Sequence, residues 1–196
     1  MRKYLLPLIA LLLPGIAHAQ ANQCRLPEII ARPQVEGPSA DEPKRVLPIG
    51  YYTLAVSWSP QYCKTSRGGA RDAFQCGSGN DFGFTLHGLW PDGVGKDWPQ
   101  YCHDAEFVPP PVIRAHLCTT PSAQLLQHEW AKHGSCMAPT PERYYRVSGI
   151  LWRSLRWPDA DRLSRQAGAL PRRLDHCHLS FRNCSTKELG YDAVLI

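Results

Sequence analysis

Four titratable residues of three chemical types lie within six consecutive positions, in the segment HEWAKH at residues 128–133. At about 100° per residue in a helix, the four share one arc of about 140°; they are His128, Glu129, Lys132 and His133. Trp130 falls on the opposite, apolar side, which could pack on a hydrophobic core. Imidazole, carboxylate and ammonium groups side by side are suited to general acid–base chemistry. An exposed helix with ordinary charge pairs would show the same pattern.

A third histidine follows a run of apolar residues in the segment FTLHGLWPDG, residues 84–93. His87 lies where the predicted strand breaks at Gly88, and a side chain on the end of a rigid strand is well placed for function. Taken alone, a structural histidine fits this position at least as well. Trp90, which precedes a proline, and Trp98 could each be a core residue or a platform on which a base stacks.

The two segments together carry a family resemblance. FTLHGLWPDG and HEWAKHGSC, in this order and with about 40 residues between their histidines, resemble the two active-site segments of the ribonuclease T2 family. The stretch YYTLAVSWSPQYC, which begins at Tyr51, is similar to the first strand and first cysteine of that family. The resemblance covers roughly residues 51–145, and after the second predicted helix the chain is short for the family.

The resemblance implies an exported endoribonuclease that cleaves single-stranded RNA through the 2′-hydroxyl, first to 2′,3′-cyclic phosphates and then to 3′-phosphates. His133 resembles the base that takes the 2′-proton, and His87 resembles the acid that protonates the leaving 5′-oxygen. Lys132 and Glu129 match the pair that stabilises the pentacoordinate phosphorane, and His128 matches a phosphate-binding histidine. Imidazoles titrate near the working pH with little perturbation. Because RNA carries its own nucleophile, no metal and no cofactor is expected.

The resemblance also implies where a base of the substrate would bind. Trp90 and Asp92 match residues that hold the base 5′ to the cut, and Trp98 is a candidate for a second stacking wall. Stacking tolerates any base, so no base preference follows from it. The expected partner is single-stranded RNA, and the expected oligomeric state is a monomer.

Two other functions compete with this interpretation. The same scaffold could serve as a non-catalytic RNA-binding or signalling module, but both active-site histidines and the lysine are present. An exported metalloenzyme could use the His and Glu side chains as ligands, and chelator-resistant activity would exclude it. The metallopeptidase motif needs histidines at i and i+4, whereas His128 and His133 are at i and i+5.

The first 19 residues have the form of a secretory signal peptide. Arg2 and Lys3 precede an apolar run over residues 4–16, and Ala17-His18-Ala19 offers a small-x-small cleavage site. The run is too short to span a membrane. We therefore expect a periplasmic or secreted protein that is soluble after cleavage. The segment holds two of the 22 basic residues and none of the 17 acidic ones, so the mature net charge would be +3. That mild positive charge is compatible with a polyanionic substrate.

Eight cysteines follow the signal segment, and an even number in an exported chain favours four disulfides. Cysteine count alone leaves their pairing open. The family resemblance implies that Cys102 pairs with Cys136. Cys63–Cys76 and Cys177–Cys184 are further expected pairs, which leaves Cys24 and Cys118 for each other.

The remaining sequence predicts the elements that must position these side chains. Residues 20–48 are polar and proline-rich, which predicts an extended arm held at Cys24. Alternating apolar residues predict one strand from Tyr52 to Trp58, and a second strand over about residues 81–86 that stops at His87-Gly88. Glycines and prolines over residues 93–111 predict a loop.

Helix signals dominate the second half of the chain. Thr120 as N-cap and Pro121 at the first position predict a helix that ends at Gly134. Thr140-Pro141 predicts the start of another helix, a weaker helix is expected over residues 159–169, and residues 193–196 predict a closing strand. Together with the resemblance, these elements indicate a disulfide-stabilised α+β catalytic domain over residues 49–196, with helices packed on a central antiparallel β-sheet.

Overall fold

The computed structural model describes residues 21–66, 68–77, 79–155, 157 and 191–195. Its strands are β1 (Ala21–Gln23), β2 (Ile49–Trp58), β3 (Asp81–Phe82), β4 (Phe84–Gly93) and β5 (Tyr191–Leu195). Its helices are α1 (Ser59–Thr65), α2 (Ala73–Cys76), α3 (Pro110–His116), α4 (Ala123–Lys132) and α5 (Pro141–Ser154), with a 3₁₀ turn over Gly134–Cys136. The protein therefore has the α+β architecture that the sequence predicts.

A three-stranded sheet in the order β4-β2-β5 forms the centre of the described structure. β2 and β4 are antiparallel over their full length, from the pair Ile49–Gly93 to the pair Trp58–Phe84. This long pair confirms the predicted antiparallel sheet. β5 adds to the other edge of β2 in parallel, a direction the expectation of an antiparallel sheet did not include. Parallel neighbours need a crossover connection instead of a tight turn, so no local turn signal indicates their direction.

The prediction that the second strand stops at His87-Gly88 is wrong, because β4 continues to Gly93. Ala55 of β2 pairs with Gly88, whereas the next residue of β2 pairs with Leu86. His87 is therefore an extra residue in β4, which is the definition of a β-bulge. A bulge redirects a side chain without ending the strand. The sequence signal at this position was real, but it marked a bulge within the strand.

The helix that carries the HEWAKH segment begins two residues later than predicted. Ser122 is the N-cap of α4, and its hydroxyl accepts a hydrogen bond from the Leu125 N–H at 3.2 Å. The Thr120 hydroxyl instead donates to the Leu86 carbonyl at 2.8 Å, which ties this turn to β4. A cap contributes about 1 kcal/mol, and the tertiary hydrogen bond takes the hydroxyl that would have supplied it. α4 ends at Lys132, and the 3₁₀ turn follows.

Other helices confirm or extend the prediction. Thr140 caps α5 as predicted: its hydroxyl accepts from the Arg143 N–H at 3.4 Å, and Pro141 occupies the first position. Sequence analysis missed α1, α2 and α3. α3 begins at Pro110, at the end of the predicted loop, where proline is favoured because its missing N–H needs no partner.

The core lies between the sheet and the helices α4 and α5. Its large buried side chains come from β2, β4, α4 and α5. They include Leu54, Phe84, Leu126, Trp130, Tyr144 and Trp152. Trp130 is 2 % exposed, as the helical pattern predicts for the apolar side of α4. Each such side chain contributes about 1.5–3 kcal/mol through burial. The apolar side of α4 thus packs into this core, with Trp130 next to Tyr144 of α5, and the titratable side turns toward β4 and the arm.

The segment predicted as an extended arm is described from residue 21 onwards, and its backbone pairs with the rest of the domain at two points. β1 pairs with β3, and Arg45 forms an isolated bridge with Gln100. The described residues form three disulfides. Cys102–Cys136 agrees with the pair that the resemblance implies, and Cys63–Cys76 and Cys24–Cys118 agree with the other expected pairs. The expected signal peptide, the helix over residues 159–169, the pair Cys177–Cys184 and the last residue of the closing strand lie outside the described residues. Within the described ranges, no helix is both long and apolar enough to cross a membrane.

Candidate active site

Residues from β4 and α4 meet in a compact group, which we call the histidine–carboxylate cluster: His87, Trp90, Glu129 and His133. The two oxygens of Glu129 contact different partners, His87 Nε2 at 3.2 Å and the Trp90 indole N–H, which donates at 2.8 Å. The Trp90 ring stacks on His133 with 5.3 Å between ring centres, and the edge of His87 faces Trp90 at 5.7 Å. The carboxylate thus contacts one imidazole directly, and the Trp90 ring links it to the other.

Glycine at position 88 makes this close approach possible. A Cβ atom on Gly88 would lie 1.8 Å from Glu129 Oε2, far inside van der Waals contact. The next residue of β4, Leu89, is hydrogen-bonded to Tyr144 of α5. The Tyr144 hydroxyl donates to the Leu89 carbonyl and accepts from the Leu89 N–H, both at 3.1 Å. The bulge, the glycine and the tyrosine therefore fix the strand that carries His87 and Trp90.

Glu129 is almost fully buried, at 1 % exposure. Burial raises the pKa of Glu129, but the hydrogen bond with His87 and the charges of His133 and His128 lower it more, so the pKa lies below its ordinary value. The carboxylate is therefore an anion at neutral pH. A buried anion costs several kcal/mol unless it is paired and hydrogen-bonded, and Trp90 and His87 supply those contacts here.

His133 caps the end of α4, where its N–H donates to the Glu129 carbonyl at 3.1 Å. Its side chain is 6 % exposed, and burial lowers the pKa of His133 to about 4. Glu129 opposes this shift, while the positive charge of Lys132 strengthens it. At neutral pH the imidazole is therefore uncharged, which is the state that accepts a proton.

The other two titratable residues of α4 face the arm, and we call His128 and Lys132 the arm-facing pair. His128 Nδ1 pairs with the Glu36 carboxylate, and Lys132 Nζ pairs with the Glu42 carboxylate. The hydrogen bond from Lys132 lowers the pKa of Glu42, partial burial opposes it, and a hydrogen bond from Tyr101 adds to the lowering. Both cations of the helix thus have arm carboxylates as partners.

The structure divides the four side chains of the predicted arc into two pairs. Glu129 and His133 are buried against β4, and only His128 and Lys132 remain partly accessible. Helical periodicity gives directions around one helix, whereas β4 and the arm decide which of those directions are covered.

The candidate base-binding residues have other partners in this structure. Asp92 accepts a hydrogen bond from the Thr53 hydroxyl at 2.6 Å. Trp98 is 42 % exposed, and Arg45 stacks over its ring at 4.5 Å. The Trp98 indole N–H donates to the Gln100 side chain at 3.1 Å. The structure brings Trp90 into the cluster with the histidines, while Asp92 and Trp98 lie further along β4 and its loop. Their roles toward RNA stay predictions.

The part of the chain that the structure describes contains no group of three or more His, Cys, Asp or Glu side chains arranged to hold a metal ion.

The family model described as the Ribonuclease T2 family matches residues 49–159, which is more than half of the chain. The chain belongs to the ribonuclease T2 family. The matched region contains β2, β4, α4 and the whole histidine–carboxylate cluster.

Individual relatives of this T2-family chain agree with the match. A probable ribonuclease of Haemophilus influenzae is 36% identical over 129 residues, which cover 60% of this chain and 47% of the relative. A ribonuclease of Aeromonas hydrophila is 34% identical and covers 52% of this chain and 44% of its own. The chain therefore spans about half the length of the curated relatives it matches. An RNase-related protein from Calystegia sepium is similar in structure, with a TM-score of 0.46 and 26% identity over 63% of this chain and 66% of its own.

Sequence analysis of this T2-family chain missed four residues around the site. Glu36 and Glu42 lie about 90 positions from their partners in a proline-rich arm, where no local pattern marks them. Tyr144 looked like an ordinary apolar residue of α5. Tyr101 has a φ of 50°, which is unfavourable for a residue with a side chain, and its hydroxyl donates to Glu42 at 3.2 Å. Only the length of the arm and its acidic residues could have suggested a contact with a basic site.

Proposed function

We propose that this T2-family protein is an endoribonuclease that cleaves single-stranded RNA by 2′-hydroxyl transesterification. The observation that carries the proposal is the histidine–carboxylate cluster: an uncharged buried imidazole, His133, and a second imidazole, His87, are held around one carboxylate. Acid–base catalysis needs one group to take a proton while another donates one. Two imidazoles from different elements on either side of Trp90 fit that requirement.

In the first step, His133 removes the proton of the 2′-hydroxyl, and the 2′-oxygen forms a bond to phosphorus. The bond from phosphorus to the 5′-oxygen breaks, and protonated His87 gives its proton to that oxygen. The products are a 2′,3′-cyclic phosphate and a free 5′-hydroxyl. In the second step the histidines exchange roles, and water opens the cyclic phosphate to a 3′-phosphate. Positioning of the attacking oxygen and the acid–base pair supply the rate enhancement.

The arm-facing pair stabilises the negative charge that develops on the phosphate during these steps. Lys132 and His128 are the cations of α4 that are not committed to the buried cluster, and cations placed at a developing negative charge stabilise the transition state. The proposed role of Glu129 differs from the one that the resemblance implies. Its burial and its contact with His87 Nε2 favour action through His87, whose imidazole it positions, over direct contact with the phosphorane.

The proposal extends to the substrate and the compartment. Single-stranded RNA is the proposed partner of a monomeric enzyme that needs no cofactor. Removal of residues 1–19 would release it to the periplasm or the medium. The three disulfides support this, because disulfides persist in oxidising compartments. Trp90, Asp92 and Trp98 are the proposed base-binding residues.

The test is digestion of the sixteen RNA dinucleotides by the chain that begins at Gln20, with and without excess EDTA. We expect 2′,3′-cyclic phosphates that convert to 3′-phosphates, at equal rates with and without the chelator. The matching dinucleotides with a 2′-deoxy sugar should stay intact, because they lack the nucleophile. Loss of activity in EDTA that zinc or magnesium restores would support the exported metalloenzyme instead.

A further inference from the structure

Two carboxylates of the arm contact the arm-facing pair, the two side chains that bind the phosphate in the proposed function. The Glu36 carboxylate contacts His128 Nδ1 and accepts a hydrogen bond from Gln124. The Glu42 carboxylate contacts Lys132 Nζ and accepts from the Tyr101 hydroxyl at 3.2 Å. These acids come from the segment of the arm between residues 33 and 42, which we call the acidic strap.

The positions of the two contacts suit an anionic chain. His128 and Lys132 are one turn apart on α4, about 6 Å along its axis, so the two carboxylates contact the same side of the helix. A carboxylate and a phosphate make the same charge-assisted hydrogen bonds to an ammonium or an imidazolium. The acidic strap therefore presents this helix with the kind of anion that a nucleic-acid backbone would present.

We propose that Glu36 and Glu42 determine the substrate affinity of this site: they occupy the phosphate-binding cations, and RNA must displace the acidic strap to bind. This proposal rests on the proposed function. It makes the strap an intramolecular competitor of the substrate. Because the strap is covalently attached, its local concentration is high and independent of the protein concentration.

The strap is built so that it can leave without unfolding the domain. On one side the Cys24–Cys118 disulfide holds the arm, and on the other side the backbone of Arg45 pairs twice with Gln100 at 2.9 Å. Between these anchors, residues 34–41 are exposed except for Glu36, which is half-buried. The backbone of Gln34 exchanges two hydrogen bonds with the Gln124 side chain, at 2.8 and 3.1 Å. Pro33 is buried at the start of the strap, whereas the hydrogen bonds and ion pairs of residues 34–42 are contacts that water and RNA can replace.

The size of the effect follows from the exposure of the ion pairs. The side chains of Glu36 and Glu42 are 32% and 44% exposed, which places both pairs near the surface. Exposed pairs contribute roughly 0.2–1 kcal/mol each, so loss of both should tighten substrate binding by about 2- to 30-fold. The double variant Glu36→Gln, Glu42→Gln should lower KM by this factor and leave kcat within about 2-fold.

Two exposed acids of the same arm supply a matched control. The double variant Glu28→Gln, Asp41→Asn removes the same charge, and no ion pair is found for either acid in the described part of the chain. If loss of negative charge alone attracts RNA, the control will lower KM as much as the test variant does. If Glu36 and Glu42 instead position His128 and Lys132, the test variant will lower kcat. Either result overturns the proposal.

Binding is measured in parallel with a fluorescent twelve-nucleotide oligodeoxythymidylate, which has no 2′-hydroxyl and cannot be cleaved. We expect a Kd about 2- to 30-fold lower for the test variant than for the control. In the wild-type protein, saturation with this probe should increase hydrogen exchange of residues 34–42, a measurement that needs no variant. Wild-type protein that binds the probe but cleaves no RNA would refute the proposed function alone. Unchanged exchange and equal Kd values would refute the acidic strap.

Discussion

The histidine–carboxylate cluster and the arm-facing pair occupy the same helix, yet they are built in opposite ways. Glu129 and His133 are buried against β4, and their contacts come from residues close to the sheet. His128 and Lys132 are partly accessible, and their partners come from a distant arm with little regular structure. The difference separates proton transfer, which needs fixed distances and an altered pKa, from phosphate binding, which needs exchangeable contacts. Perturbation of the first region should change kcat, and perturbation of the second should change KM.

The largest expected effect comes from the two imidazoles. His87→Phe and His133→Phe should each lower kcat by about 100-fold or more, because each removes one proton transfer. The exposed His103 supplies the control, and His103→Phe should retain wild-type kcat. Circular dichroism and initial rates on a fluorogenic RNA are the measurements. A His87→Phe variant that kept most of its kcat would remove His87 from the acid role and make His128 the next candidate.

Gly88 tests whether the cluster depends on the close approach of β4 and α4. A methyl group at this position overlaps Glu129 Oε2, so Gly88→Ala must displace the buried carboxylate. We expect a loss of stability of about 1–3 kcal/mol, as for other overpacked sites, and a kcat at least about 10-fold lower, of the order that misplaced catalytic groups cost.

Gly95 provides the matched control for this substitution. It lies in the loop after β4, a Cβ there would meet nothing within 4 Å, and Gly95→Ala should leave both melting temperature and kcat unchanged. Equal melting temperatures and kcat values for the two alanine variants would show that the cluster tolerates displacement of the Glu129 carboxylate. That result would contradict the contrast between the two regions of α4.

Trp90→Phe distinguishes a stacking platform from a positioning residue. The variant keeps an aromatic ring beside His133 but removes the N–H that donates to Glu129. A hydrogen bond to a buried charge contributes roughly 1.5–3 kcal/mol, so kcat should fall by about 10-fold with a smaller change in KM. If Trp90 acts by stacking on the base alone, KM will rise and kcat will be retained. Steady-state kinetics on one dinucleotide separates these two outcomes.

The sequence predicted the parts of this site that depend on neighbours along the chain. The Thr140 cap of α5 and the apolar side of α4 with Trp130 follow from spacing and residue type, whereas the two histidine segments were recognised through the family resemblance. The bulge at His87 was not predicted, because a bulge is defined by the register of β4 against β2 and not by β4 alone. The partners of the titratable side chains on α4 were not predicted for a similar reason. They include Trp90, Glu36 and Glu42, which lie far from α4 in sequence.

The pH dependence of kcat/KM gives the smallest expected effect and the sharpest test of burial. Since burial lowers the pKa of His133 to about 4, the base stays uncharged down to that pH. The acid limb of kcat/KM reports the base of the free enzyme. Protonation of His133 between pH 7 and pH 5 should therefore lower kcat/KM by less than about 2-fold. An ordinary imidazole with a pKa near 6.5 would lose more than about 10-fold over the same range.

The same shift should appear in stability, which supplies an independent measurement. Below about pH 6.5 the unfolded chain protonates this histidine, whereas the folded protein does so only near pH 4. The unfolded state binds more protons in that window, so the contribution of His133 is complete above about pH 6.5 and is lost as the pH falls toward 4. Urea unfolding of wild type and His133→Phe at pH 7 and pH 4.5 measures it: the loss on acidification should be smaller in the variant. Equal losses, together with an acid limb near pH 6.5, would place His133 in water rather than against β4, and the division of α4 into a buried and an exchangeable side would not hold.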